Sequence, residues 1–591
     1  MKKLLSIILL VLVTVTGWGQ TKSGLDLCLR DVATGDWLIG LFDDFVVYNC
    51  EYWDYKNVKN DADKIYVTVV NGCELLRIVV GKEKNGKRPV TIGGGKKRNC
   101  SVITSEYLPD YPMKDFSAFK DNNYRKGDTV TFMGWMKDFP KQVLDRLPEF
   151  EVSTAGIFSK DELKVSGKID SLGRFCVKVP VENTQQYYMD WRRSHVVTVL
   201  EPGETYFFLQ DAKNHRRMMM GKNARVQNEL LAHEIPQEFN QPEQEGMTKE
   251  QVIAYKNQWI GMLERNMAKL DSVLAVVPTL SKRYEDYQRS WMACEMGEQV
   301  MQSMFYAQGR ILPNEVVDEV RERAWNKMQP PYTLIRDFSW FIYYYLLQAN
   351  ERNPKYQESL LPESSALDPL NVEMQTIDSV CVDPVLRDIC KARVLYLLMD
   401  ETRVPLMESR LAMANALTLP AAKDAVIALN NHYATLQKQD ITNATGIRPS
   451  SDVEGLTDGE AIFRKIIEPY KGRLIYLDVW GTWCSPCKKA LKESHKLKEA
   501  LKDCEMIYLY LCNRSTDESW KNVIKEYNLM GENCIHYNLP EPQQSAVENY
   551  LNVHSYPTYK LIDKEVIIHD LDWRHADDLN TFKKTIEQIN K

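Results

Sequence analysis

Leu477-Asp478-Val479-Trp480-Gly481-Thr482-Trp483-Cys484-Ser485-Pro486-Cys487 is the stretch that decides how this chain is read. Arg473 to Trp480 reads as a buried strand, and Ser485 to about Leu501 as a helix. The two cysteines therefore stand where a strand ends and a helix begins. Thiols at i and i+3 across a helix start can close a small disulfide ring. Cys484 is the better placed nucleophile, because backbone N–H groups and the positive end of the helix dipole favour its thiolate. Such sites lower a cysteine pKa from ~8.5 into the range of roughly 3.5–7.5. Lys488 and Lys489 add positive charge, and Pro486 suits a first helical turn, where a missing N–H costs little. Asp478 falls near the middle of the apolar strand. Buried there, its pKa would rise, and it could exchange a proton with the second thiol, Cys487. The rival readings are a structural disulfide or half a zinc site. Zinc needs four ligands, usually from a second close pair; Cys504 and Cys512 are too far apart in sequence for that, and Cys534 is isolated.

The surroundings of the pair are α/β in pattern. Glu505 to Leu511 reads as a strand and Asp517 to Tyr527 as a helix. Thr558 to Ile562 and Val566 to Asp570 read as an edge hairpin, and Asp577 to Ile589 as a closing helix. With Trp483-Cys484-Ser485-Pro486-Cys487 and a second match, Ser555-Tyr556-Pro557-Thr558-Tyr559 followed by Leu561-Ile562-Asp563, residues 457–591 resemble the thioredoxin fold. More narrowly, they resemble the TlpA/ResA-like exported thiol–disulfide oxidoreductases. The resemblance implies that Cys484 and Cys487 form the redox disulfide and that Asp478 joins them in catalysis. It also implies that the Tyr556–Pro557 bond is cis, with Pro557 packed against the disulfide. Substrate would then be met by Trp483, Tyr556 and Pro557. About 70 residues separate Cys487 from Pro557, more than in plain thioredoxin; TlpA-like members carry an extra segment there, which residues near 513–540 would supply. Lys564-Glu565-Val566 stands where the family usually has a glycine turn.

Upstream, residues 20–215 are rich in short β patterns. Ile65 to Val70 and Thr129 to Met133 are β-branched or aromatic runs, and Arg174 to Val179 alternates with period two. Asn71-Gly72, Asn85-Gly86, Gly93-Gly94-Gly95 and Leu172-Gly173 punctuate them. One or two antiparallel sandwiches are expected, divided near residues 109–126. Residues 222–440 read as α-helical. Val252, Tyr255, Trp259, Leu263, Met267, Leu270 and Leu274 make one stripe, and Met292, Met296, Val300 and Met304 the next. The polar stretch 441–456 reads as a linker. Glu201-Pro202-Gly203-Glu204 and Lys222-Asn223-Ala224 resemble parts of the amino-terminal extensions on such proteins in gut-type Bacteroidetes, and no activity comes with that likeness. The expected architecture is multidomain: a β-sandwich-like start, an α-helical middle and a C-terminal α/β thioredoxin fold.

The 591 residues hold 75 Lys+Arg against 81 Asp+Glu, so no basic excess points to nucleic acid. A hydrophobic share of 44% excludes a mainly disordered chain. Met1-Lys2-Lys3, the apolar run Leu4 to Val15, and small residues at Gly17 and Gly19 have the layout of a secretory signal peptide over 1–19. The expected location is the periplasm or cell envelope, with no transmembrane helix in the mature chain. Disulfide-containing exported proteins are the expected substrates, and a membrane thiol carrier the expected electron donor. No metal or other cofactor is called for. The methionine stripe and Met218-Met219-Met220 could suggest Cu(I), but methionines at helical spacing fit a core. The other eleven cysteines could pair structurally or stay reduced, and no pairing follows from sequence. Redox direction stays open between reductase and oxidase or isomerase. A different class also stays open, in which the upstream region binds a ligand or partner and the redox module is auxiliary.

Overall fold

The computed structural model describes residues 23–125, 127–159, 162–191, 194–235, 246–361, 367–442 and 444–571, with 583, 584 and 586. The expected signal peptide and most of the expected closing helix lie outside these residues. The chain forms two compact units. One comprises residues 1–156 and 161–376, the other residues 157–160 and 377–591.

The first unit begins with a closed barrel of eight strands: β1 (Leu27–Asp31), β2 (Trp37–Leu41), β3 (Phe45–Tyr48), β4 (Glu51–Asn60), β5 (Lys64–Asn71), β6 (Glu74–Gly81), β7 (Arg88–Ile92) and β8 (Arg98–Val102). A sandwich was expected over this stretch, and the structure corrects it. Alternating residues and tight turns are common to both architectures. Closure depends on a pairing far apart in sequence, in which Leu29 meets Val102 and Asp31 meets Cys100. Eight further strands follow: β9 (Thr129–Lys137), β10 (Glu149–Ala155), β11 (Glu162–Lys168), β12 (Arg174–Pro180), β13 (Gln185–Trp191), β14 (Ser194–Leu200), β15 (Thr205–Asp211) and β16 (Arg216–Met220). They make two four-stranded sheets, ordered β11-β10-β13-β14 and β12-β9-β15-β16. Phe132, Phe175 and Phe208 from one sheet share a core with Phe150, Val152 and Tyr187 from the other, so this half is a sandwich. It is not purely antiparallel: β15 runs parallel to β9.

The helical middle opens with Arg225–Ala232 and continues with the long helix Lys249–Val276, where Thr248 and Gln251 form a reciprocal capping box. Val252, Tyr255, Trp259, Leu263 and Leu270 of the expected stripe are buried. Met292, Met296 and Met304 are also buried, as core residues of their helical segment. Among the described residues, no helix is long and apolar enough to cross a membrane.

The second unit contains the helices Pro384–Thr402, Glu408–Asn415 and Pro420–Gln437, and a five-stranded sheet ordered β19-β18-β17-β20-β21. Its strands are β17 (Ile475–Trp480), β18 (Ile507–Cys512), β19 (Cys534–Asn538), β20 (Thr558–Ile562) and β21 (Ile568–Leu571). The first three are parallel and β20 is antiparallel to β17. All six residues of β17 are buried, as expected of a central strand covered on both faces. The β20–β21 hairpin forms without a glycine. Val566 takes φ 68°, and the Asp563 carboxylate accepts the N–H groups of Glu565 and Ile567.

The polar stretch before the sheet is anchored to it. The His536 N–H donates to the Gly446 carbonyl at 2.8 Å, and the Arg448 N–H donates to the His536 carbonyl at 3.0 Å. Gly446 has φ +104°, and a Cβ there would lie 2.0 Å from the Cys534 carbonyl oxygen. Gly446→Ala is therefore expected to destabilise this unit by about 2–3 kcal/mol, read as a lower denaturant midpoint at unchanged m-value.

Candidate active site

The buried strand β17 ends at Trp480, and the helix Ser485–Ala500 opens directly after Cys484, which is its N-cap. Cys484 and Cys487 form a disulfide with their Cα atoms 5.2 Å apart. The Cys487 N–H donates to the Cys484 sulfur at 3.2 Å, so the leading sulfur already sits where the helix presents its free N–H groups. Cys487 is 1% exposed and Cys484 5%, while Trp483, Ser485 and Pro486 are exposed around them.

The second sequence motif comes to the same place. The Tyr556–Pro557 peptide bond is cis, and Tyr556 packs against the core cluster that contains both cysteines. The Tyr556 and Trp483 rings meet edge to face at 5.1 Å. The Trp483 indole N–H donates to the Asn513 carbonyl at 3.1 Å, and the Arg514 guanidinium lies 4.8 Å over the Trp483 ring.

One residue that the motifs do not reveal ties these parts together. Glu548 is buried, and its carboxylate accepts four hydrogen bonds. Asn513 Nδ2 donates to both oxygens at 2.8 and 2.9 Å, Gln544 Nε2 donates at 2.8 Å and the Tyr556 hydroxyl at 2.8 Å. A single carboxylate thus fixes the ring before the cis proline and the loop whose carbonyl holds Trp483. Glu548 sits on a helix eight residues before Tyr556, with nothing local to mark it. Asn513 and Arg514, directly after β18, carried a weak signal as polar residues at the end of a buried strand.

Asp478 is 4% exposed, and its Oδ1 has no hydrogen-bond partner. Its neighbours in register are Tyr510 on β18 and Tyr559 on β20. It shares a strand face with Tyr476 and Trp480, both in the core cluster of the two cysteines. Loss of hydration pushes its pKa up to about 8. Lys488 is buried as well: its Nζ donates to the Asp400 carbonyl at 2.8 Å. Burial, then the nearby Arg403 charge, lower its pKa to about 8. Of the two lysines expected to lend charge, only Lys489 is open to water.

The remaining eleven cysteines are free. Cys381 and Cys390 come within 3.9 Å, sulfur to sulfur, both buried. Among the described residues, one group could offer ligands to a metal: Glu295, Glu298 and Asp337, with carboxylate oxygens within 4.8 Å of one another. Burial first and the nearby Asp337 second raise Glu295 to about 7 and Glu298 to about 9, so these acids hold protons near neutrality.

Residues 472–568 match a family model described as thioredoxin-like. The carboxy-terminal domain is thioredoxin-like. The chain is 30% identical over 99 residues to the thiol-disulfide oxidoreductase ResA of Bacillus thuringiensis subsp. konkukian, covering 17% of this chain and 54% of that protein. It is 25% identical over 145 residues to the thioredoxin-like protein YneN of Bacillus subtilis, covering 24% and 78%. The chain thus spans about half the length of the first of these relatives. A solved thioredoxin domain of a thiol-disulfide oxidoreductase from Bacteroides vulgatus is 24% identical, with TM-score 0.19, over 20% of this chain and 84% of that one. The thioredoxin-like domain is preceded here by the barrel, the sandwich and the helices described above.

Asp478 makes stability depend on pH. A carboxyl whose folded pKa is raised binds its proton more tightly in the native state. Its stabilising contribution is complete below the unfolded pKa of ~3.9 and fades as pH rises through about 8. Asp478→Asn is expected to gain on the natural protein by up to about 1.4 kcal/mol per pH unit across that window. Urea melts of the oxidised forms at intervals from pH 5 to 8 check this.

Proposed function

We propose that this chain is an exported thiol–disulfide oxidoreductase whose Cys484–Cys487 pair reduces disulfides of cell-envelope proteins. The reading is carried by a disulfide at a helix N-terminus, with the ring of Tyr556, which precedes a cis proline, packed on the core cluster that holds both cysteines. Relatives bearing the name thiol-disulfide oxidoreductase support it. A signal-like start supports export.

The cycle begins with the dithiol. The Cys484 thiolate attacks one sulfur of a substrate disulfide; that S–S bond breaks, a mixed disulfide forms, and the other substrate sulfur leaves as a thiolate and takes up a proton. Cys487 then gives its proton to the Asp478 carboxylate and attacks the Cys484 sulfur. The mixed disulfide breaks, the Cys484–Cys487 bond forms, and the substrate leaves with both electrons. A membrane thiol carrier returns two electrons and two protons to restart the cycle. The exposed Trp483 ring and the Tyr556 backbone beside the cis bond line the approach, where an extended substrate segment can pair as an added strand.

In this scheme Cys487→Ser arrests turnover after the first attack. Incubation of the full-length variant with envelope extract is expected to yield mixed disulfides mapped to Cys484, and Cys484→Ser to yield none. Trapping through Cys504 or another free cysteine, with Cys484 alkylated or absent, would refute the assignment. Asp478→Asn is expected to slow insulin reduction ten- to hundred-fold near pH 7 while the Cys484 alkylation rate stays within about twofold.

A further inference from the structure

The redox reading leaves unused a cavity of about 650 Å³ at one end of the amino-terminal barrel. Strand register decides which side chains face it. Asp31 stands opposite Cys100, Tyr48 opposite Ile39, Ile92 opposite Ile78, and Arg98 opposite Val90. Directly paired residues share a face of the sheet. Cys100, Ile39, Ile78 and Val90 all belong to the apolar core within the barrel. Asp31, Tyr48, Ile92 and Arg98 are therefore inward-facing positions at strand ends, where the barrel opens.

The mouth has two tiers. Its floor is apolar, with Val90 and Ile92 joined by Leu38 and the Tyr48 ring. Its lip is basic, with Lys87, Lys96 and Lys97 all exposed. Among the described residues none of these three lysines is in an ion pair with a carboxylate. Arg98 does have a partner: its Nη1 lies 3.4 Å from the Asp31 carboxylate, which is itself 6% exposed and capped by the Ala33 N–H. Four cations thus line the cavity against one acid. The run Gly93-Gly94-Gly95 bears on this arrangement. Gly93 takes φ +58°, which turns the chain after β7, and the loop then brings Lys96 and Lys97 to the mouth.

An eight-stranded barrel is just wide enough to fill itself with side chains or to hold one small ligand. Here the apolar core fills the middle and leaves the mouth open, with a volume inside the ~300–1,000 Å³ range of small-molecule sites. We propose that this mouth binds a small amphipathic anion: one carboxylate, sulfonate or phosphate head on an apolar body. The head lies among Lys87, Lys96 and Lys97, and the body covers Ile92, Leu38 and Tyr48. A bare anion gains nothing from the floor, and a cationic amphiphile is repelled at the lip.

The test uses the oxidised full-length chain and the fluorescence of anilinonaphthalene sulfonate. Saturable binding of one probe per chain is expected, displaced by dodecanoate but not by dodecyltrimethylammonium or inorganic sulfate. The double variant Lys96→Glu, Lys97→Glu is expected to weaken dodecanoate binding at least tenfold while its circular dichroism and insulin reduction stay unchanged. Ile92→Trp, which fills the floor, should also abolish probe binding; if it fails to fold, the charge reversal decides alone. Absence of saturable binding overturns the proposal, as does equal displacement by the cationic amphiphile or indifference to the charge reversal. Capture by phosphatidylglycerol vesicles with no effect of dodecanoate overturns it in favour of a membrane surface.

Discussion

The chemistry of this chain depends on a helix that opens immediately after Cys484. The start of a helix leaves backbone N–H groups without carbonyl partners, and here one of them, from Cys487, already donates to the Cys484 sulfur. Negative charge on that sulfur is stabilised by the same groups. The rest of the second unit holds the arrangement in place. The fully buried strand β17 delivers the chain to the spot, and the Asn513 carbonyl fixes Trp483 beside it. Asn513 and Gln544 hold Glu548, which in turn accepts the Tyr556 hydroxyl and fixes its ring beside Trp483.

The buried charged groups of the second unit differ in how they are satisfied. Glu548 has four hydrogen bonds and is suited to a fixed structural role. Asp478 has an oxygen without a partner and a pKa pushed up to about 8 by burial, which suits the proton-accepting role proposed for it. Lys488 hands its ammonium to the Asp400 carbonyl within the same unit, so it is spent on holding the helix Pro384–Thr402 rather than on open solvent. The helices that precede the sheet are thereby part of the unit that carries the disulfide.

Most of the site was legible because its signals are local. A strand-to-helix junction bearing Cys484 and Cys487, and a proline-bearing turn at Pro557, can each be read from a few adjacent residues. The amphipathic helices of the middle region were legible for the same reason, as at Val252, Tyr255 and Trp259. Glu548 was not, because its importance comes from partners on other elements, Asn513 after one strand and Tyr556 before another. The barrel was not legible either. Period-two runs such as Ile65 to Val70 fit a sandwich and a barrel equally, and only the pairing of β1 with β8, Leu29–Val102 to Asp31–Cys100, closes the ring. At Val566 a β-branched residue takes the left-handed turn that the family resemblance gives to glycine, aided by the Asp563 carboxylate.

The measurement that bears most directly on this account is the rate of Cys484 alkylation in the reduced full-length chain as a function of pH, followed peptide by peptide by mass spectrometry. Cys484 is expected to react ahead of Cys487, at a rate that titrates with an apparent pKa below ~8.5. A midpoint at or above that value, or Cys487 reacting first, would contradict it.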